Sequence, residues 1–339
     1  MRLSFGTPFS ALSKKVIQLA GYAAIFCFLL FGNLYGRTQT IPNFTSGGKT
    51  PLLTGSSPSL AYLNGYMYVA YEDTSSNAIL NIARSTDGVN WINVANTNVT
   101  TVGPVTMCAC NGRLLIVYGS STYGSQFSEI SSSDGINYSS PQILAINGLQ
   151  PSTILNSLVP PALQYFNGKI YLGFVAATQI TGAATATVAS STDGINFANV
   201  VSLSNPSNSG LSAAVFGGKL YFAYTTNSLN RPVLAATADG TTFTYGIDST
   251  FEVGGTPALA VFTPSGGPSA LYIFGRSNFS ENNLWVAGTF DGSAFSAAYQ
   301  YGPSLNFNPA IAILGNGYLV SAFHANLSGK NIWTYVAPN

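Results

Sequence analysis

The strongest constraint in this sequence is a short turn motif that returns five times in one frame. It reads Ser85-Thr-Asp87-Gly88-Val-Asn-Trp91, then Ser132-Ser-Asp134-Gly135-Ile-Asn-Tyr138 and Ser191-Thr-Asp193-Gly194-Ile-Asn-Phe197. The last two copies are Thr237-Ala-Asp239-Gly240-Thr-Thr-Phe243 and Thr289-Phe-Asp291-Gly292-Ser-Ala-Phe295. Successive aspartates lie 47, 59, 46 and 52 residues apart. A second marker interleaves with the first: Asn64-Gly65, Asn111-Gly112, Asn167-Gly168, Gly217-Gly218, Gly266-Gly267 and Asn316-Gly317, each between two apolar runs. Such dipeptides supply the positive φ angles of a tight hairpin. The runs beside them, such as Tyr66–Tyr71 and Lys169–Phe174, alternate as strands do.

The repeating unit is therefore strand, Gly turn, strand, variable loop, strand, Asp-Gly turn, strand, in about 50 residues. A single four-stranded sheet of this size cannot bury both faces, so the units must pack on one another around a ring. Six Gly turns predict an all-β, six-bladed β-propeller of four-stranded antiparallel blades, at about 57–99, 103–146, 159–203, 210–250, 255–301 and 307–337. The sixth repeat ends after its third strand, near Val336. The otherwise unpartnered segment 41–53 is expected to supply the missing outer strand, which closes the ring and removes an open edge.

At the Asp-Gly turns the chain resembles the sialidase-like, or Asp-box (BNR-repeat), propellers. That family's pattern is Ser-x-Asp-x-Gly-x-Thr-Trp/Phe, whereas here Gly directly follows Asp and the spacing to the aromatic is one shorter. The resemblance implies that Asp87, Asp134, Asp193, Asp239 and Asp291 lie on the turn between third and fourth strands, away from the functional face, as structural residues. Elementary chemistry agrees. A turn Asp accepts backbone N–H bonds, Gly takes positive φ, and the following aromatic inserts between blades.

The residues from Val16 to about Gly36 are the one long apolar stretch, preceded by Arg2, Lys14 and Lys15. A basic start and an uncharged core read as an export signal over 1–36, with an uncleaved membrane anchor as the alternative. A propeller over 37–339 is then expected outside the cytoplasm, secreted or at the cell surface, and monomeric. The mature part holds two cysteines, Cys108 and Cys110, read as two small buried hydrophobes rather than a metal or redox pair. Only 7% of residues are charged and the net charge is +1, which gives no field for nucleic acid or an anionic membrane surface.

With five of the 11 acidic residues committed to turns, few remain for chemistry. Propeller loops alternate between faces. Arg84, Arg113, Lys169 and Lys219 fall near the lower face and are read as rim-solvating charges. Second-to-third loops and blade-to-blade links share the upper face, around an axial pocket. Glu72, Asp73, Asp248, Glu252, Glu281, Arg231, Arg276, His324 and Lys330 fall there, and Glu129 falls on the third strand of blade two.

Sialidase chemistry requires three arginines on a carboxylate. Arg231 and Arg276 are too few, and no Arg-Ile-Pro motif is present. A glycoside hydrolase needs only two carboxyls at suitable separation, for which Glu72, Asp73, Asp248, Glu252 and Glu281 are the candidates. A single histidine, His324, gives little support to a His-ligated metal or a Ser-His-Asp triad, and no metal or cofactor is expected.

The reading reached from sequence is recognition of a glycan or surface ligand in the axial pocket. Arg231, Arg276, His324, Tyr123 and Phe279 are the candidate contacts. Phe307, Tyr301, Trp285 and Trp333 are further candidate platforms, although strand aromatics more often belong to the core. A glycoside hydrolase is the alternative.

Overall fold

The computed structural model describes residues 40–120, 126–149, 153–155, 159–178, 184–207, 209–226, 230–247, 252–277, 282–293, 295–324 and 329–339. The leader reading falls on residues outside this set. Ile41–Asn339 forms one unit, and the described residues contain strands and turns but no helix. The opening strand β1 is Ser46–Leu53. Blade 1 follows as β2 (Ser59–Leu63), β3 (Tyr66–Glu72), β4 (Ile79–Ser85) and β5 (Ile92–Thr100). Blade 2 is β6 (Val102–Cys110), β7 (Arg113–Gly119), β8 (Phe127–Ser132) and β9 (Gln142–Ile143).

Two short strands, β10 (Ala145–Ile146) and β11 (Thr153–Leu155), precede blade 3, which is β12 (Ala162–Phe166), β13 (Lys169–Thr178), β14 (Ala184–Ser191) and β15 (Asn196–Pro206). Blade 4 is β16 (Ser212–Phe216), β17 (Lys219–Thr225), β18 (Pro232–Thr237) and β19 (Thr244–Ile247). Blade 5 is β20 (Ala258–Phe262), β21 (Ala270–Arg276), β22 (Asn283–Thr289) and β23 (Tyr299–Ser304). The last three strands are β24 (Ala310–Ile313), β25 (Leu319–His324) and β26 (Asn331–Ala337).

β1 pairs antiparallel with β26, from Ser46 opposite Val336 to Leu53 opposite Asn331, and completes blade 6. The join is tied further by Thr50 Oγ1 donating to Ile332 O and Asn331 Nδ2 donating to Thr50 O, both at 2.8 Å. The innermost strands touch in the closed order β2, β6, β12, β16, β20, β24 and back to β2. The chain is thus a ring of six four-stranded blades. Blade 3 is enlarged: β11 continues its inner position against the far end of β13, and β10 lies parallel to the start of β15.

The core is divided among six apolar clusters, one at each seam between blades. The Asp-Gly turns lock these seams. In blade 1, Val89 N and Asn90 N donate to Asp87 Oδ1, both at 2.8 Å, and Ser85 Oγ donates to the same atom. Gly88 sits at φ 75°, a left-handed angle. Trp91 drops into the cluster shared with blade 6, and Phe197 is fully buried in the cluster shared with blade 2. Each turn glycine accepts a side chain from the preceding blade. A Cβ on Gly135 would strike Tyr68, and one on Gly240 would strike Tyr171.

Three expectations change. The six Gly turns are not alike. Asn64-Gly65, Asn111-Gly112, Asn167-Gly168 and Gly217-Gly218 have positive φ at both positions, but in Gly266-Gly267 and Asn316-Gly317 only one glycine does. Pro264 and Pro268 flank the fifth turn and hold φ negative, so that connection is longer. Cys108 and Cys110 are buried as expected but joined by a disulfide, Cα–Cα 5.8 Å, on one face of β6. Arg84 and Arg113 do more than solvate a rim. Arg84 lies 4.2 Å over the Tyr66 ring, and Arg113 reaches blade 3 to donate to Asp193 O.

Candidate functional site

One position of the repeat builds the upper mouth of the ring. Glu72, Gly119, Thr225, Arg276 and His324 are each the last residue of their blade's second strand. Val175 is the equivalent in blade 3 by register. The ionisable members occupy three successive blades: Arg276 in blade 5, His324 in blade 6 and Glu72 in blade 1. Their main-chain carbonyls all receive the link to the inner strand, from Gly254 N, Asn306 N and Gly55 N at 2.8 to 3.0 Å.

Of these residues, Glu72 and Arg276 line a pocket of about 410 Å³ above the axis, to which all six blades contribute. It opens into an axial channel of about 380 Å³ bounded by the inner strands, the two sharing Ser57, Pro160, Thr256 and Asn308. The lining is lopsided. Blades 5, 6 and 1 present Arg276, Asn306, Phe307, Asn308, Ser56, Ser57 and Glu72, whereas blades 2, 3 and 4 present Gly103, Pro104, Val159, Pro160 and Ser209.

Burial pushes the Glu72 carboxyl above its ordinary pKa, Asp73 adds to the rise, and the Thr101 hydroxyl, donating to Oε2 at 3.4 Å, works against it. The carboxylate lies over Gly55, where a Cβ would come within 2.9 Å of Oε1. Ser56 Oγ, also lining the pocket, is buried beside the Glu72 carboxyl and, like Thr101, works to lower its pKa. Arg276 donates to Asn306 O at 3.0 Å and to Gly254 O, and so bridges the links into blades 6 and 5. Its Nε is buried and unpartnered, and burial lowers its pKa. Phe307, on the link into the intervening blade 6, belongs to the same lining.

The other sequence candidates fall elsewhere. Asp73 turns into its own loop, accepting from Ser75 N, Ser75 Oγ and Ile79 N. Burial opposes these bonds, but they hold its pKa below the usual carboxylate range. Glu252 is half-buried in the link before β20 and does not line the pocket. Arg231 stays in the upper loop of blade 4, off the pocket lining, with its backbone tied to Thr226. His324 is buried behind Phe307, its ring stacked on the phenyl at 5.2 Å.

Asp248, Glu281, Tyr123 and Phe279 lie outside the described residues. Trp285, Trp333 and Tyr301 pack into seams. Among the described residues, Glu72 is the one carboxylate lining the pocket, and no cluster of three or more His, Cys, Asp or Glu side chains is placed to hold a metal.

The five turn aspartates sit at the opposite end of the blades, because each follows a third strand that runs down from the upper face. Their carboxylates are saturated with hydrogen bonds. Asp134, for example, accepts from Ser132 Oγ, Ile136 N, Asn137 N and Asn137 Nδ2. Ser57, Thr256, Asn306 and Asn308 escaped the sequence reading. A signal for three of them exists: in five blades the inner strand is led in by proline, at Pro58, Pro104, Pro161, Pro257 and Pro309. The residue before each of these prolines lines the pocket.

No family model and no curated protein matches the chain. Solved structures do. A Hadza microbial sialidase superposes with TM-score 0.64 at 13% identity, over 84% of this chain and 65% of its own. An α-L-arabinofuranosidase from Fusarium graminearum, in complex with an iminosugar inhibitor, gives 0.64 at 12% identity over 88% and 98%. The Aleuria aurantia lectin, in complex with α-methyl-L-fucoside, gives 0.56 at 13% over 88% and 97%. Similarity at this level of identity establishes the fold. The chain is a six-bladed β-propeller whose structural neighbours include carbohydrate-active enzymes and a sugar-binding lectin.

Proposed function

We propose that this chain is an exported, monomeric carbohydrate-binding propeller that holds a sugar residue of a glycan in the upper axial pocket. Its five turns are a shortened form of the Asp-box. The observation that carries the reading is the polar half of the pocket, where a cationic donor, Arg276, a carboxyl, Glu72, and Phe307 of the intervening blade share one lining. A sugar offers vicinal hydroxyls that both donate and accept, together with an apolar C–H face that stacks on an aromatic ring. The small and apolar half, from Gly103 to Ser209, leaves room for the rest of the ligand. The sugar-directed neighbours support the same class of ligand.

Binding without turnover is favoured over hydrolysis because the two-carboxylate mechanism needs a second acid, and among the described residues none joins Glu72 in the lining, Asp73 being consumed by its loop. The test is a glycan array followed by calorimetry with the best hit, alongside assays for released sugar. Binding with no product is expected, with at least about a tenfold loss in Arg276→Ala or Phe307→Ala. Product release abolished by Glu72→Gln would establish a hydrolase instead. No glycan bound by the folded protein would refute the proposal.

A further inference from the structure

His324 is the protein's single histidine and is absent from the pocket lining, yet it stands at the same ring position as Arg276 and Glu72. It is 6% exposed. Nε2 lies 3.2 Å from Gly329 O, an acceptor, so Nε2 carries the hydrogen and Nδ1 is bare. Nδ1 is buried and has no partner. One face of the imidazole stacks on Phe307, 23° from parallel, and the His324 carbonyl accepts from Asn306 N one residue away. The histidine therefore backs the ring of a residue that lines the pocket.

We infer that His324 is an acid-operated latch beneath Phe307: a proton at Nδ1 breaks the stack, and the pocket loses its aromatic floor. This rests on the reading of Phe307 as the sugar platform. A second proton would place an N–H where no acceptor exists and a charge where water is excluded. The groups around the ring do not repay that cost. The link 306–308 and β24 bring no titratable side chain. The lead-in to β26 brings Lys330, whose charge opposes protonation. Blade 5 brings Arg276, a second cation, bound to Asn306 O. Among the described residues Glu72 of blade 1 is the one acid lining the pocket, and burial favours its neutral form, while Asp73 beside it is turned into its own loop. Burial first, and Lys330 second, hold the His324 pKa below its ordinary value despite the bond to Gly329. Face-on attraction of an imidazolium to the phenyl ring is a smaller effect than an unsatisfied buried N–H beside another cation.

Because the chain has one histidine, its Cε1–H resonance reports His324 alone. The experiment titrates that signal and the Phe307 ring signals, assigned through Phe307→Leu, from about pH 8 to about pH 4.5. Phe307 is expected to shift with the His324 midpoint in the wild type and to stay still in His324→Phe. His324→Gln serves if the phenylalanine variant does not fold. Phe307 signals that ignore the His324 titration, or that still move in both variants, overturn the inference.

The second arm measures binding of the array's best glycan at one pH above and one pH below the His324 midpoint found in the first arm. About three- to tenfold weakening at the lower pH is expected in the wild type, the worth of one aromatic stack, and less than about twofold in the variant. Equal weakening in both overturns the latch. If no glycan binds at either pH, the function reading falls while the ring titration still decides the latch.

Discussion

Replacing Gly135 with alanine separates two reasons for glycine in the Asp-Gly turns. Gly135 sits at φ 73°, and an added Cβ would lie 2.3 Å from two ring carbons and the hydroxyl oxygen of Tyr68 in the preceding blade. Gly65, in the first hairpin, has φ 88° but nothing within 4 Å of its would-be Cβ. Both alanine variants incur the left-handed backbone strain of about 1–2 kcal/mol. Only Gly135→Ala also forces Tyr68, which is buried at 1% exposure and donates to Asp134 O at 3.3 Å, out of its place. Overpacking of a well-filled core costs about 1–3 kcal/mol more. Gly135→Ala is therefore expected to lose about 2–5 kcal/mol and Gly65→Ala about 1–2 kcal/mol in urea titrations followed by far-UV circular dichroism. Tyr68→Leu should remove most of the difference, so the double-mutant cycle should show coupling of at least about 1 kcal/mol. Equal losses for the two glycine variants, or no coupling to Tyr68, would refute the view that the turns are the pins of the seams.

Three further outcomes follow from the same contacts. Burial works against the Asp87 carboxylate, but the N–H groups of Asn90 and Val89 hold its pKa down to about 2. Its contribution is present above the unfolded pKa, near 4 for aspartate, and is lost as pH falls toward about 2. Urea midpoints of Asp87→Asn should fall less than wild type over that interval; parallel curves would contradict the assignment. Glu129, 2% exposed with Oε2 unpartnered, has the opposite sign. Burial raises its pKa above the unfolded value, so its stability is full below about 4.3 and is lost as pH rises through the folded value. Glu129→Gln should match wild type near pH 4 and exceed it near pH 8 in thermal melts, both values approximate; a variant no more stable at the higher pH would count against this. The Cys108–Cys110 bond spans two residues, and closing so short a loop stabilises by about 1–2 kcal/mol. The double serine variant should therefore still fold, with a Tm lower by only a few degrees; failure to fold would show that the disulfide has a larger role.

The architecture was legible because its signals are local and repeated. Asn64-Gly65 announces a hairpin from two residues, and Asp87-Gly88 ties a turn within six residues of chain. Six copies then leave a ring as the one arrangement that covers every sheet face. The completing strand was legible by bookkeeping, since 41–53 and the unfinished last repeat each lacked a partner. The pocket was legible only in part. Glu72 and Asp73 are adjacent in the sequence and equally acidic, yet strand alternation and the loop donors Ser75 and Ile79 send one to the axis and the other to its own turn. Asn308 and Ser57 are 251 residues apart and share only the proline that follows each, but Asn308 N donates to Ser57 Oγ at 3.1 Å across the closing seam.

By itself, then, the order of residues determined the number of blades, the course of each strand and the end of the ring that carries the structural turns. These depend on backbone angles and hydrophobic alternation, which neighbouring residues set. Only the closed ring decided which six strand ends meet over the axis, and that Arg276, Phe307 and Glu72 share one side of it. It also decided that His324 lies behind the lining rather than in it. Such meetings depend on the angle through which each blade turns relative to the last, and that angle is set by packing at the seams between blades.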